Sequence, residues 1–201
     1  MWFSAFTLEE WFCVFSVLLS FVILKLEFNL FDKSAIFAFQ IIEQIMMKYF
    51  FIYKTTIGNI TITEEDNHII MIKFREDIGS AIKKETPLIK EVINQLSQYF
   101  EGKRQAFDLP LKLNGTDFQQ KVWTALQRIP YGQIWSYKRL AEEIGNPKAC
   151  RAVGMANNRN PISIVVPCHR VIGSDGSLVG YASGMENKRY LLDLEQKTFI
   201  L

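Results

Sequence analysis

The residue types best suited to chemistry lie in one short run of this chain, Pro167-Cys168-His169-Arg170-Val171, directly after the apolar residues 164–166. A cysteine acts as a nucleophile only as its thiolate, and an unperturbed thiol is ionised to just a few per cent at neutral pH. A neighbouring base is therefore needed, and one of the chain's 2 histidines follows the cysteine directly. The run predicts Cys168 as a nucleophile and His169 as its base.

The adjacency of Cys168 and His169 sets a geometric condition. Neighbouring residues on a strand point to opposite faces, so the pair can cooperate only through a turn or a bridging water. An arbitrary Cys-His pair is ordinarily a small buried side chain next to a hydrogen-bonded turn residue. The full five-residue string, however, has a chance frequency of about 10⁻⁵ in a chain of this length. It is therefore interpreted as a family signature.

The cysteine and histidine content limits the other chemistry. Cys13, Cys150 and Cys168 form an odd, widely spaced set, which argues against a disulfide framework and favours a reducing, cytoplasmic compartment. With only His68 and His169 besides, and no Cys-x-x-Cys pair, a four-ligand zinc site would need unusual partners. The sequence predicts no metal.

The charge of the chain is unevenly distributed. The formal net charge is +2, but residues 1–46 hold two Lys and five Asp or Glu, so the remainder carries +5. This surplus is compatible with a polyanionic partner.

Residues 1–46 differ from the rest of the chain. Their uncharged run, residues 11–24, would span roughly 21 Å as a helix, short of a hydrocarbon core of about 30 Å. No positive charge precedes the run, as a secretory signal would require. We expect residues 1–46 to be a hydrophobic extension that results from a mis-assigned start of translation. Translation would then start at Met46 or Met47. The alternative is an amphipathic segment that a membrane surface or a partner covers.

Residues 47–112 have the pattern of a small α+β unit. Segments 49–54, 59–64 and 68–74 are rich in Ile, Thr, Phe and Tyr and are separated by turn residues, which predicts three antiparallel strands. Apolar residues at helical spacing predict a helix over 87–100, packed on that sheet. Because no nucleophile and base come together here, we expect a scaffold in which His68 is structural.

Residues 113–201 predict a mostly helical unit. Thr116 and Gln119 form a possible capping box, Ser136 can cap the next helix, and Asn146-Pro147 can open a third. A tight pair of helices is usually plain packing, but small residues around Lys148 and Arg151 suit a helix that enters a DNA groove. Segments 171–172 and 178–179 resemble a winged-helix hairpin.

From about residue 109 to 195 the chain resembles the methylated-DNA-protein-cysteine methyltransferases, also called O6-alkylguanine-DNA alkyltransferases. The order and spacing of several separate motifs carry the resemblance. Besides the Cys168 string they are Gly115-Thr116-x-Phe118-Gln119 with Val122-Trp123, Ile129-Pro130-Tyr131-Gly132, Ser136-Tyr137, Arg151-Ala152-Val153-Gly154-x-Ala156-Asn157, Asn160-Pro161, Gly180-Tyr181 and Leu191-Leu192.

The resemblance implies a fold and a set of site residues. The fold is α+β, with a ribonuclease H-like N-terminal sheet and helix followed by a winged-helix-like catalytic domain. Cys168 would accept the alkyl group, His169 would deprotonate it through a water, and Glu195 would orient the imidazole. Asn160 would support the active-site loop. Without the resemblance, Glu195 would be a solvated residue on a helix.

The implied partner is double-stranded DNA that contains an alkylated base. Arg151 would fill the gap left by an extruded nucleotide, and Tyr137 would crowd the adjacent phosphate and protonate the leaving guanine. Further expected DNA contacts are Ser136, Lys148, Ala149, Gly154 and Ser174, and the expected base pocket is lined by Asn157, Val171, Tyr181 and Ala182.

The implied reaction is irreversible transfer from O6-alkylguanine, and from O4-alkylthymine, to Cys168. It needs no cofactor and no obligate protein partner, and we expect a monomer that acts once. The main alternative is a non-catalytic sensor of alkylated DNA, against which the presence of Cys168 argues. A cysteine hydrolase would need a distant base, and a transcriptional adaptor would need a four-cysteine zinc domain.

Overall fold

The structure is a computed structural model that describes residues 47–74 and 80–199. The described residues belong to one compact unit, Ile45–Leu201. None of the helices in this described part is both long and apolar enough to cross a membrane. The expectations for residues 1–46 lie outside the described residues.

The first half of the unit is built on a four-stranded sheet. Strands β1 (Lys48–Thr55), β2 (Gly58–Glu65) and β3 (His68–Lys73) pair in antiparallel fashion, as predicted. Asp66 and Asn67 have φ values of 53° and 56°, which suits the tight turn between β2 and β3. The short strand β4 (Ile82–Lys83) pairs in parallel with β1, and it was not predicted, because two residues show no periodicity.

One helix covers this sheet. Helix α1 (Pro87–Phe100) has the predicted bounds, and it begins where the Thr86 side chain accepts a hydrogen bond from the Ile89 amide. Its buried face includes Val92, Leu96 and Tyr99. These side chains belong to the same core cluster as the sheet residues and the helices of the second half.

The second half contains four helices, α2 (Asp117–Leu126), α3 (Tyr137–Glu143), α4 (Cys150–Asn158) and α5 (Met185–Phe199). The Thr116 capping box and the Ser136 cap are both present. The predicted opening of the third helix at Asn146-Pro147 is wrong. Residues 146–149 form a turn in which the Ala149 amide donates to the Asn146 carbonyl, and α4 begins after it.

The predicted wing hairpin does not form. Strand β6 (Val171–Ile172) pairs in parallel with β5 (Trp135–Ser136), and residues 178–179 form no strand. The turn between them is closed instead by a 2.8 Å hydrogen bond from the Gly173 amide to the Ser177 carbonyl. Because β6 pairs with β5, the residues after this turn follow as a loop.

The sheet anchors the chain around the Cys168 run. The Ile72 amide donates to the Pro161 carbonyl at 2.9 Å, and the Ser163 amide donates to the Ile72 carbonyl at 2.8 Å. The loop after α4 therefore pairs with the outer edge of β3. Backbone hydrogen bonds thus fix the entry to the Cys168 run against the first half of the molecule.

Replacing Thr116 by Ala should lower the free energy of unfolding by about 1 kcal/mol, because the capping hydroxyl of α2 is lost. Urea unfolding followed by circular dichroism measures the change. Thr116→Ser keeps the hydroxyl and is the matched control. Equal stabilities of the Ala and Ser variants would show that the cap contributes nothing.

Candidate active site

Two tight turns carry the chain into Cys168. Ile164 has a φ of 71°, a strained conformation for a β-branched residue. Pro167, with φ −82° and ψ 62°, forms an inverse γ-turn closed by a 2.8 Å hydrogen bond from the Cys168 amide to the Val166 carbonyl. Residues Cys168–Arg170 then form a 3₁₀ helix, η1. Cys168 and His169 therefore lie on a turn and not on a strand.

Asn160 holds this turn from inside. Its side-chain carbonyl accepts from the Ile162 amide at 3.0 Å, and its amide nitrogen donates to the Val166 carbonyl at 2.8 Å. The same nitrogen lies 3.1 Å from the sulfur of Cys168. The donor that fixes the loop therefore also offers a hydrogen bond to a thiolate.

Cys168 is buried, with 4% of its surface exposed. Burial raises the pKa of its thiol to about 11, and the Asn160 hydrogen bond and the charge of Lys188 only partly oppose this effect. The sulfur is therefore protonated at neutral pH. Its use as a nucleophile requires a base that removes the proton as the thiolate forms.

His169 has the features of that base. Its Nε2 atom lies 2.8 Å from Oε1 of Glu195, and because a carboxylate only accepts, Nε2 is the donor. Nδ1 is left as the acceptor of the neutral ring, and no protein group among the described residues bonds to it. Burial lowers the pKa of His169 and outweighs the opposing effect of Glu195, so the ring is neutral at pH 7.

Glu195 is 1% exposed, contrary to what a glutamate on a helix suggests by itself. Its carboxylate accepts five hydrogen bonds, from His169, Tyr99, the Gly132 amide and two nitrogens of Arg170. Burial alone would raise the pKa of Glu195, but the hydrogen bonds and charges of His169 and Arg170 hold it well below its usual range. The carboxylate is therefore ionised.

The sequence analysis gave no role to three residues of this site. Arg170 forms the bidentate ion pair with Glu195, and Tyr99 reaches it from α1 at 2.7 Å. Lys188 is fully buried and donates to the carbonyls of Val171 and Val179 at 2.6 and 2.8 Å. Lys188 and Glu195 lie seven residues apart on α5, and this helical spacing on a face with Leu191 was the available signal.

Tyr137 lies half-buried between two of the predicted contact regions. Its hydroxyl donates to the Val179 carbonyl at 3.1 Å, and its ring would lie 3.7 Å from a Cβ placed on Gly154. Burial raises the pKa of the Tyr137 phenol, which keeps its proton in place. The structure thus packs the predicted proton donor against the predicted DNA-binding helix.

The expected base-pocket residues differ in burial. Asn157, Val171 and Tyr181 are buried, whereas Ala182 is exposed. The Asn157 amide donates to the Cys168 carbonyl at 3.3 Å, while its own oxygen and the Tyr181 hydroxyl have no hydrogen-bond partner among the described residues. Buried polar atoms without partners are rare and often mark a binding site. These two are candidates to contact a bound base.

The residues expected to contact DNA also differ in their exposure and hydrogen bonding. Lys148, Arg151 and Ser174 are exposed, and Ala149 is the residue that precedes α4. The Ser136 hydroxyl caps α3 by accepting from the Arg139 amide at 3.1 Å. In the part of the chain that the structure describes, no three His, Cys, Asp or Glu side chains are grouped to hold a metal.

Two family models match the chain. Residues 117–197 match the DNA-binding domain of 6-O-methylguanine DNA methyltransferase, and residues 48–113 match the ribonuclease-like domain of the same proteins. The matched segments include all of the predicted site residues.

Individual relatives agree with these matches. The methylated-DNA–protein-cysteine methyltransferase of Methanosarcina barkeri is 47% identical over 74% of this chain and 97% of its own length. The constitutive enzyme of the same name from Bacillus subtilis is 45% identical over 76% of this chain and 98% of its own length.

Solved structures are similar as well. The O6-methylguanine methyltransferase of Mycobacterium tuberculosis superposes with a TM-score of 0.71 at 40% identity, covering 76% of this chain and 94% of its own. The M. tuberculosis protein solved in complex with DNA gives the same TM-score at 42% identity, covering 75% of this chain and 94% of its own. Through its sequence, its fold and the surroundings of Cys168, this chain belongs to the methylated-DNA–protein-cysteine methyltransferase family.

Proposed function

We propose that this protein repairs DNA by transferring an alkyl group from O6 of guanine to Sγ of Cys168, irreversibly and once per molecule. One observation supports the proposal most directly. The buried thiol of Cys168 lies within hydrogen-bond distance of the Asn160 amide and directly precedes a neutral histidine. Nδ1 of this His169 has no protein partner among the described residues, and Nε2 donates to the ionised carboxylate of Glu195. This is the arrangement of an activated nucleophile with an oriented base.

The transfer is a displacement at the alkyl carbon. Nδ1 of His169 takes the thiol proton through a water, and the thiolate attacks the carbon in line with the departing oxygen. A sulfur–carbon bond forms as the oxygen–carbon bond breaks, and the electron pair stays on the guanine. Tyr137 supplies the proton that neutralises the leaving base and regains one from solvent. No cofactor takes part.

The acceptor is used only once because the product is a thioether. Removal of the alkyl group from a thioether would have to expel the thiolate from an unactivated carbon, and no second nucleophile among the described site residues is placed to do this. The protein is then consumed in stoichiometric amounts. A catalytic hydrolase would instead need a group that activates water against the modified cysteine.

The base must leave the duplex to reach Cys168, at a cost of a few kcal/mol of unstacking. The Arg151 side chain fills the gap that the extruded nucleotide leaves in the base stack. Tyr137 lies against the adjacent phosphate. The small residues of α4 suit a close approach to the minor groove. Lys148, Ala149, Gly154, Ser136 and Ser174 are the further proposed contacts. The M. tuberculosis relative has been solved in complex with DNA, which supports DNA as the partner.

Several finer points are part of the same proposal. Asn157, Val171, Tyr181 and Ala182 line the pocket, which also accepts O4-alkylthymine. The protein works as a monomer, with residues 47–112 as scaffold and 113–201 as the alkyltransferase domain. The cytoplasmic location stays a prediction. The alternative, a non-catalytic sensor, remains the outcome if Cys168 is never modified.

Replacing Cys168 by Ala should abolish transfer, because the acceptor atom is lost, while binding to a duplex with one O6-methylguanine persists. Intact and peptide masses of the native protein should show a single added methylene on the Cys168 peptide. Cys150→Ser is the control and should keep full transfer. Methyl transfer by the Cys168 variant, or a mass of the native protein that never changes, would contradict the mechanism.

Replacing Arg151 by Ala should slow transfer from duplex DNA by roughly 10- to 100-fold, since the unstacked state is no longer stabilised. Transfer from the free base O6-methylguanine, which needs no extrusion, should be unchanged. Lys103→Ala removes an equal charge from an exposed site in the first half and serves as the control. A loss of equal size on both substrates would rule out the role in extrusion.

The rate of transfer should be nearly constant from about pH 7 until Lys188, whose pKa burial lowers to about 8, loses the charge that favours the thiolate. The reactive form has a neutral His169, whose pKa is lowered by burial, and a protonated Cys168, whose pKa is raised to about 11. The rate should fall in acid as His169 takes a proton. A logarithmic rate that climbs with unit slope towards pH 11, measured by single-turnover mass spectrometry, would mean that the thiolate forms without His169.

A further inference from the structure

We infer that Tyr99, in the N-terminal half, is a positioning residue that tunes the proton affinity of His169 through Glu195. The inference rests on the proposed function, in which His169 is the base for Cys168. It assigns part of the catalytic tuning to α1, a helix for which the sequence indicated only a scaffold. Tyr99 touches neither the thiol nor the DNA in this proposal and acts only through the carboxylate.

The Tyr99 hydroxyl and the His169 ring share one oxygen of the Glu195 carboxylate. The Tyr99 hydroxyl donates to Oε1 of Glu195 at 2.7 Å, and Nε2 of His169 donates to the same oxygen at 2.8 Å. Both side chains are fully buried. Donors on one oxygen share its negative charge, so the Tyr99 hydroxyl weakens the attraction of that oxygen for a proton on His169.

The rest of the carboxylate is already occupied. Arg170 donates to both oxygens, at 2.8 and 2.9 Å, and the Gly132 amide donates to Oε2 at 3.1 Å. A carboxylate offers about four lone-pair sites, and five donors face this one. No spare acceptor capacity remains on Glu195. Removal of the Tyr99 hydroxyl must therefore return charge density to the oxygen that His169 contacts.

The direction of the effect follows from the charges. A carboxylate with one donor fewer attracts a proton on His169 more strongly, so the imidazolium becomes easier to form. The pKa of His169 should rise and its neutral, basic form should be lost at a higher pH. The other titratable or charged groups facing this cluster, from every element packed on it, are Cys168, Arg170, Lys188, Tyr131 and Tyr181.

Tyr131 provides a matched control. Its ring packs edge-on against the Tyr99 ring at 6.1 Å, and it is buried in the same cluster. Its hydroxyl, however, has no hydrogen-bond partner in the part of the chain that the structure describes. Tyr99→Phe and Tyr131→Phe therefore remove the same atom from neighbouring places, and only the first removal changes the contacts of Glu195.

The test is a titration of the full chain labelled with ¹⁵N-histidine. His68 and His169 are the only histidines of the sequence. His68 is exposed and its Nδ1 lies 2.7 Å from the Asp66 carbonyl. Because neither substitution changes this contact, the His68 signal serves as an internal reference. We expect the midpoint of His169 to rise by about one pH unit in Tyr99→Phe and to stay in place in Tyr131→Phe.

The transfer rate gives the second readout. In Tyr99→Phe the acid limb of the pH profile should move by the same amount, so that below both midpoints transfer is about tenfold slower. A His169 titration that is the same in Tyr99→Phe, Tyr131→Phe and the native chain overturns the inference, including the case in which none titrates within the stable range. Because the titration needs no substrate, a failure of the proposed transfer activity leaves this test unaffected.

Discussion

Glu195 carries a negative charge in a place that water barely reaches, and the active site depends on how that charge is compensated. A buried carboxylate without partners would cost several kcal/mol or would take up a proton. Here Arg170 compensates the charge, and His169, Tyr99 and Gly132 satisfy the remaining lone pairs. Three segments of the chain, at Tyr99, at Gly132 and at residues 169–170, converge on this one carboxylate, so its position fixes theirs.

Burial then has opposite consequences for the two reacting groups. It raises the pKa of Cys168 and lowers that of His169, so the thiol and the imidazole that follows it in the chain are both neutral near pH 7. In the proposed mechanism neither group is charged before reaction, and the proton moves only as the thiolate attacks. The ionised Glu195 stabilises the imidazolium that results.

The sequence predicted much of this arrangement, and its failures have physical causes. Strands β1 to β3, helix α1 and the caps at Thr116 and Ser136 follow from periodicity and hydrogen-bonding side chains, which act locally. The predicted start of α4 was wrong because Asn and Pro also favour turns, and residues 146–149 form one. The predicted wing was wrong because β6 pairs with β5, which is distant in sequence and which local patterns do not encode. The motifs around Cys168 located the site, whereas the burial of Lys188 and the role of Arg170 required the packed helix α5.

The position of Tyr99 changes how the N-terminal half should be understood. The sheet holds the loop before Cys168 through Ile72, and Tyr99 of α1 donates its hydroxyl to the Glu195 carboxylate. The hydrogen bonds at Ile72 hold the loop that positions the sulfur of Cys168. The Tyr99 hydroxyl acts on the negative charge next to His169. Both are buried hydrogen bonds, which a small displacement of the sheet would weaken together. The chemistry of residues 168–170 therefore depends on a half of the molecule that contributes no reacting atom.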